Sequence, residues 1–147
     1  FDSFKLYRYN PKGEGMQRAM KMAIDDSGLN PQDIDCIFTN ANSSRDADEI
    51  EAKAIQNVFG KCASNIPVTA VKSIVGETWS ASGGLSIVAA LNSLKEGLIP
   101  PVINCEKQDS ACGLNLVLNK PLSKKLSKIM INTFDPNGNN SVVIIGK

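Results

Sequence analysis

Apolar positions in the first third of the chain recur at three- and four-residue steps. Met16, Ala19, Met20, Ala23 and Ile24 fall at i, i+3, i+4, i+7 and i+8, the spacing that lines one face of an α-helix. Gly28 follows, a residue suited to the left-handed turn beyond a helix end, so a first helix is predicted over about 15–27. Asn30, Pro31 and Asp33 supply a cap oxygen, a first-turn proline and an acidic third position, enough for one turn. Ile34 to Thr39 then reads as a buried strand. From Asp46 a second stripe runs through Ala47, Ile50, Ala54, Ile55 and Val58 to Gly60, predicting a second helix. Ile66 to Val71 is β-rich. Leu85, Val88, Ala89, Leu91 and Leu94, up to Gly97, are apolar almost all round, the pattern of a helix buried on several sides.

Pro100 and Pro101 break the chain, and Leu114 to Leu118, Lys128 to Phe134 and Ser141 to Ile145 read as three strands. The last two are separated by the turn-rich Asp135, Pro136, Asn137 and Gly138. The predicted order is α-β-α-β-α-β-β-β, an α/β fold whose mixed β-sheet is packed with helices, since a short hairpin joins the terminal strands. The chain opens at Phe1 and passes into a strand-like Phe4, Lys5, Leu6 and Tyr7, as if cut from something longer.

At 147 residues and 42% hydrophobic content the chain suits a single domain with a single core. Lys and Arg total 16 against 15 Asp and Glu, with no like-charge block, so no nucleic-acid partner is expected. Cys36, Cys62, Cys105 and Cys112 form no Cys-x-x-Cys pair, and there is neither a secretory signal nor a membrane-length apolar run; a cytoplasmic protein without a membrane partner is expected. The chain has no histidine, which removes His-activated nucleophiles, His metal ligands and imidazole acid/base chemistry together. Gly13-Glu14-Gly15 and Ser82-Gly83-Gly84 satisfy no phosphate or dinucleotide fingerprint. Neither a cofactor nor a metal is expected.

Three stretches carry more specific information. DIDCIFTNANSSRDADEIEAKAIQNVFG spans Asp33 to Gly60, VKSIVGETWSASGG spans Val71 to Gly84 with Pro100-Pro101 and Asn104 after it, and NTFDPNGNNSVVI spans Asn132 to Ile144. Each resembles the β-ketoacyl synthase family of fatty-acid and polyketide condensing enzymes. In the first, that family has a strand, a His-Gly-Thr loop and an acidic helix ending in Val-Phe-Gly. Asp48, Glu51, Ala54, Ile55 and Val58 to Gly60 match, and the His-Gly-Thr is Asn40, Ala41, Asn42. In the second, a Lys-Ser-x-x-Gly-His loop is matched by Lys72, Ser73 and Gly76, with Glu77 at the histidine position. In the third, a gating phenylalanine is replaced by Pro136.

The resemblance implies a thiolase-like fold of two related halves, of which residues 1–147 would be the C-terminal half-domain, with the N-terminal half absent. It also implies the chemistry: a cysteine in the first half carries the acyl chain, and two imidazoles in the second donate hydrogen bonds to a thioester oxygen that turns negative. An ionised Glu77 has no proton to give, while Asn40 can donate through its amide. On that basis the expectation is a non-enzymatic subunit, of the chain-length-factor or ketosynthase β type. It would pair with a catalytic ketosynthase α subunit, with its own N-terminal half and with an acyl carrier protein bearing the acyl or polyketide chain, and would help shape the polyketide tunnel. Two other readings stand beside it, a small α/β ligand-binding or regulatory module and an active synthase with substituted donors. Lys72 and Glu77 could be an ion pair filling the site or two solvated loop residues.

Overall fold

A computed structural model describes residue 2 and residues 4–147. Phe1, where the chain was expected to begin in mid-fold, lies outside the described residues. The elements are α1 (Glu14–Asp26), β1 (Cys36–Phe38), α2 (Arg45–Phe59), β2 (Val68–Thr69), α3 (Lys72–Val75), α4 (Ser82–Glu96), β3 (Leu98–Ile99), β4 (Leu122–Ser123), β5 (Lys128–Phe134) and β6 (Asn140–Gly146). The three long helices and the terminal hairpin form where the apolar spacing places them.

The main sheet has the order β2-β1-β5-β6. β1 runs parallel to both β2 and β5, whereas β6 returns antiparallel along β5 with Ile131 opposite Val143. This is the mixed α/β sheet expected from the alternating elements and the short final turn. Its central strands are apolar on both faces, so successive residues feed two cores. Ile37, Val68 and Met130 pack with Met16, Met20, Ile24, Ile55 and Phe59 under α1 and α2. Cys36, Phe38, Ile129 and Ile131 pack with Ala90, Leu94 and Ile99 under α4.

Two expectations are corrected. Leu114 to Leu118 does not form a strand; it touches β2 only through a Val68–Leu116 bridge. Leu116 N–H turns back to Leu114 C=O at 3.0 Å, which takes that donor out of a ladder, and Leu118 makes only an isolated bridge to Val102. Phe4 to Tyr7 is a tight turn rather than a strand, closed by Arg8 N–H on Lys5 C=O at 3.2 Å with Tyr7 at φ 57°. The third long helix, α4, is buried on one part of its surface only. It hides Ser82, Ser86, Ala90, Ser93 and Leu94, while Leu85, Val88 and Leu91 stand 38%, 58% and 52% exposed. An apolar stripe left in water asks for a covering surface. Among the described residues no helix is long and apolar enough to cross a membrane.

Candidate functional site

Three mutually parallel strands place three loops at one edge of the sheet: Asn40 follows β1, Lys72 opens α3 just beyond β2, and Asp135 and Pro136 follow β5. The carboxyl ends of parallel strands are where α/β sheets gather their ligand-contacting groups. Here the loops bound a cleft of about 1330 Å³ whose walls include Asn40, Asn42, Lys72, Glu77, Trp79 and Pro136.

The loop after β1 is held by two carboxylates on α2. Asp48 accepts the backbone N–H of Asn42 and of Ser43, each at 3.1 Å. Glu51, 3% exposed, accepts the backbone N–H of Asn40 at 3.0 Å and the Asn132 side-chain amide at 3.0 Å. Burial raises Glu51 to about 7 against the pull of those hydrogen bonds. Burial also raises Asp48, opposed by the Asn42 and Ser43 N–H groups. Tyr9, whose hydroxyl donates to Phe134 C=O at 3.4 Å, is pushed up to about 12 by burial, with the Glu51 charge adding to it. The Oδ1 of Asn132 is a buried acceptor with no partner among the described residues.

Lys72 joins the loop after β1 to the loop that precedes α4. Its side chain is 8% exposed, and its ammonium donates to Asn40 Oδ1 at 3.0 Å and to Glu77 Oε2 at 2.9 Å. Glu77 is the most heavily bonded carboxylate of the cleft. Asn42 Nδ2 donates to its Oε2 at 3.2 Å, and Trp79 N–H and Ser82 Oγ each donate to its Oε1 at 3.0 Å. Burial acts to raise its pKa, but the Lys72, Asn42, Ser82 and Trp79 hydrogen bonds together outweigh burial and hold it down at about 2. It is therefore an anion throughout the neutral range. Lys72 and Glu77 form an ion pair, and the solvated-loop reading of the two residues is set aside.

An ammonium offers donors only, so the contact with Lys72 fixes which way the Asn40 amide faces. Its Oδ1 turns to Lys72, so Nδ2 is the opposite, donating end of the amide. Pro136 sits in the tight turn between β5 and β6, where Gly138 N–H closes on Asp135 C=O at 3.1 Å, and contributes to the cleft wall without an aromatic ring. Asn40, Lys72, Glu77 and Pro136, drawn from three distant stretches of sequence, thus line one cleft. Sequence reasoning missed Asn42 and Ser82 as partners of Glu77, and Asn132 as a partner of Glu51. These pairs are separated by 35, 5 and 81 positions, and no local spacing announces them. The adjacency of Trp79 to Glu77 was the one signal available.

Comparison with known proteins gives a match to the β-ketoacyl synthase C-terminal domain over residues 2–106. A curated relative from Coxiella burnetii (strain RSA 493 / Nine Mile phase I), 3-oxoacyl-[acyl-carrier-protein] synthase 2, is 32% identical over 99% of this chain and 35% of its own length. The chain thus spans about a third of the length of that relative. Among solved structures, the ishigamide ketosynthase/chain length factor superposes with a TM-score of 0.88 at 30% identity, over 92% of this chain and 33% of the other. A ketosynthase in complex with its chain length factor from Xenorhabdus doucetiae gives 0.86 at 25% identity, over 99% and 36%. The fold is that of the thiolase-like ketosynthase C-terminal domain. These findings overturn one expectation: a non-enzymatic subunit was inferred from the missing histidines, yet the curated relatives matching along this chain are named as synthases. The absence of both imidazoles therefore does not by itself mark the chain as non-enzymatic.

Proposed function

Because the chain belongs to the β-ketoacyl synthase family through that family's C-terminal domain, we propose that it is the C-terminal half of a ketosynthase-type acyltransferase. Its substrate is an acyl or polyketide chain tethered to a cytoplasmic acyl carrier protein. The observation that carries this reading is the 3.0 Å contact from Lys72 Nζ to Asn40 Oδ1. It fixes the amide of a residue that lines the cleft, at a position where the family has an imidazole, with its oxygen committed to Lys72 and its N–H end as the donor. When a thioester carbonyl gains negative charge during acyl transfer, a preorganised neutral donor stabilises it. Glu77 takes a different part. As an anion neutralised by Lys72, it holds the Asn42 side chain, the Trp79 backbone and the start of α4 in place around the cleft.

The nucleophile is assigned to the N-terminal half of the same fold. That half is proposed to cover the exposed Leu85, Val88 and Leu91 stripe of α4. The test is acyl transfer from acyl- and malonyl-acyl carrier protein by the full-length protein, purified with whatever ketosynthase accompanies it. Formation of 3-oxoacyl-acyl carrier protein that depends on Asn40 supports the reading, and turnover indifferent to Asn40 refutes it.

A second reading, a chain-length-factor subunit paired with a ketosynthase α subunit in type II polyketide biosynthesis, is favoured by Glu77. A fixed anion there changes the second donor position, and two structural neighbours are a ketosynthase/chain length factor and a ketosynthase bound to its chain length factor. In this reading the cleft wall, with Pro136 in place of the gating phenylalanine, helps set the length of the product. Native mass spectrometry showing a ketosynthase α subunit bound one-to-one would support it; a homodimer with unchanged product length on Pro136→Phe would count against it.

A further inference from the structure

Trp79 is the chain's single tryptophan, and it stands 82% exposed. A large indole in water is uncommon and calls for a covering partner. Its backbone lies at φ 48°, a left-handed conformation that non-glycine residues seldom adopt and that persists only where neighbours enforce it. The enforcing contact is Glu77 Oε1, which accepts the Trp79 N–H at 3.0 Å while Glu77 is itself fixed by Lys72, Asn42 and Ser82. The same ion pair that orients the Asn40 amide therefore also presents the indole.

Trp79 lines the cleft shared by Asn40 and Lys72, as do Phe4, Leu6 and Tyr7. The exposed α4 stripe of Leu85, Val88 and Leu91 does not line it. The two exposed apolar sets are thus separate, one on the helix flank and one in the cleft. A cleft with an oriented donor and a lysine at one place, and aromatic and aliphatic side chains at others, suits a ligand with a polar thioester head and a long apolar tail. We propose that Trp79 is a substrate-contacting wall for the tail of the acyl chain and so a determinant of the chain length the cleft accepts. The inference rests on the acyl-handling reading above and goes beyond it by naming the specificity residue.

The experiment measures calorimetric binding of acetyl-, hexanoyl- and dodecanoyl-pantetheine to the full-length protein in its native complex, for wild type, Trp79→Ala, Trp79→Phe and Trp79→Gly. Glycine accepts the φ at this position, so loss of the indole is read there without added backbone strain. Dodecanoyl binding should weaken about tenfold or more in the Ala and Gly variants, against less than about twofold for acetyl, with Phe between wild type and Ala. The tryptophan emission that disappears in Trp79→Phe should shift to the blue on adding dodecanoyl-pantetheine to wild type. Equal loss at all three lengths, or no loss, overturns the inference. So does dissociation of the complex in Trp79→Ala by native mass spectrometry, which would make Trp79 an interface residue. Failure of wild type to bind any of the three probes would instead overturn the acyl-handling reading on which the inference stands.

Discussion

Lys72 Nζ lies 3.0 Å from Asn40 Oδ1 and 2.9 Å from Glu77 Oε2, so one ammonium links the loop after β1 to the loop that precedes α4. Removing it would free the Asn40 amide to rotate and leave Glu77 without its cation. Lys72→Met is therefore expected to lower acyl transfer by the assembled protein by about tenfold to a hundredfold, while Lys72→Arg, which keeps the charge and the donors, retains more activity. Steady-state turnover of acyl-acyl carrier protein is the readout, and equal rates for Met and wild type would show that the amide needs no orientation.

Glu77 accepts hydrogen bonds from four groups. Glu77→Ala leaves the Lys72 ammonium in a site only 8% exposed with one acceptor fewer. The expected loss is on the order of 1–3 kcal/mol in urea unfolding of the full-length protein. A variant as stable as wild type would mean that the four contacts do not hold the loop together.

Two carboxylates give opposite pH dependences. Glu51 is raised to about 7 by burial, so the folded protein holds its proton more tightly than the unfolded chain does. Its contribution to stability is full below the ordinary carboxylate range and is lost as pH rises through about 7. Glu77 is held at about 2, so its contribution is present above the ordinary carboxylate range and disappears as pH falls toward 2. Asp48, Lys72, Tyr9 and Asn132 surround or bear on Glu51 and remain in place in Glu51→Gln. That variant should therefore gain stability on wild type between pH 5 and pH 7.5, as followed by denaturant midpoints. A constant difference across that window would show that Glu51 does not titrate there.

The stripe of Leu85, Val88 and Leu91 predicts association. Val88→Asp with Leu91→Glu should abolish binding of this segment to the proposed N-terminal half when the two are produced as separate chains, while leaving its own circular dichroism unchanged, because both side chains already face water. Retained binding by analytical ultracentrifugation would move the interface elsewhere.

Much of this architecture is legible in the chain because the signals are local. The 3.6-residue stripes of Met16 to Ile24 and Ala47 to Val58 produce α1 and α2, and the Asp135 to Gly138 turn produces the β5–β6 hairpin. What was lost depends on tertiary context. The apolar run of α4 does not announce which face is covered: Ser82, Ser86, Ala90, Ser93 and Leu94 are buried while Leu85, Val88 and Leu91 face out, because helix burial depends on which neighbours are present. Leu114 to Leu118 has strand composition, but Leu116 N–H turns back within the run and its pairing is reduced to isolated bridges. At the site, Asn40, Lys72 and Glu77 were readable from their motifs. The Asn42–Glu77 and Asn132–Glu51 bonds were not, since only folding brings those residues together. The missing histidines led to the expectation of a non-enzymatic subunit, and the synthase names of the curated relatives argue otherwise.

The central claim is that the Asn40 amide N–H serves acyl transfer, and Asn40→Asp tests it with almost no change of shape. The aspartate can still accept from Lys72 and its backbone N–H can still bond Glu51, but an ionised carboxylate has no proton for the thioester oxygen. In the intact full-length assembly, confirmed by native mass spectrometry, transfer from acyl-acyl carrier protein should fall about a hundredfold, the scale on which a single oxyanion donor acts. An Asn40→Asp protein that assembles normally and turns over at the wild-type rate would contradict the account.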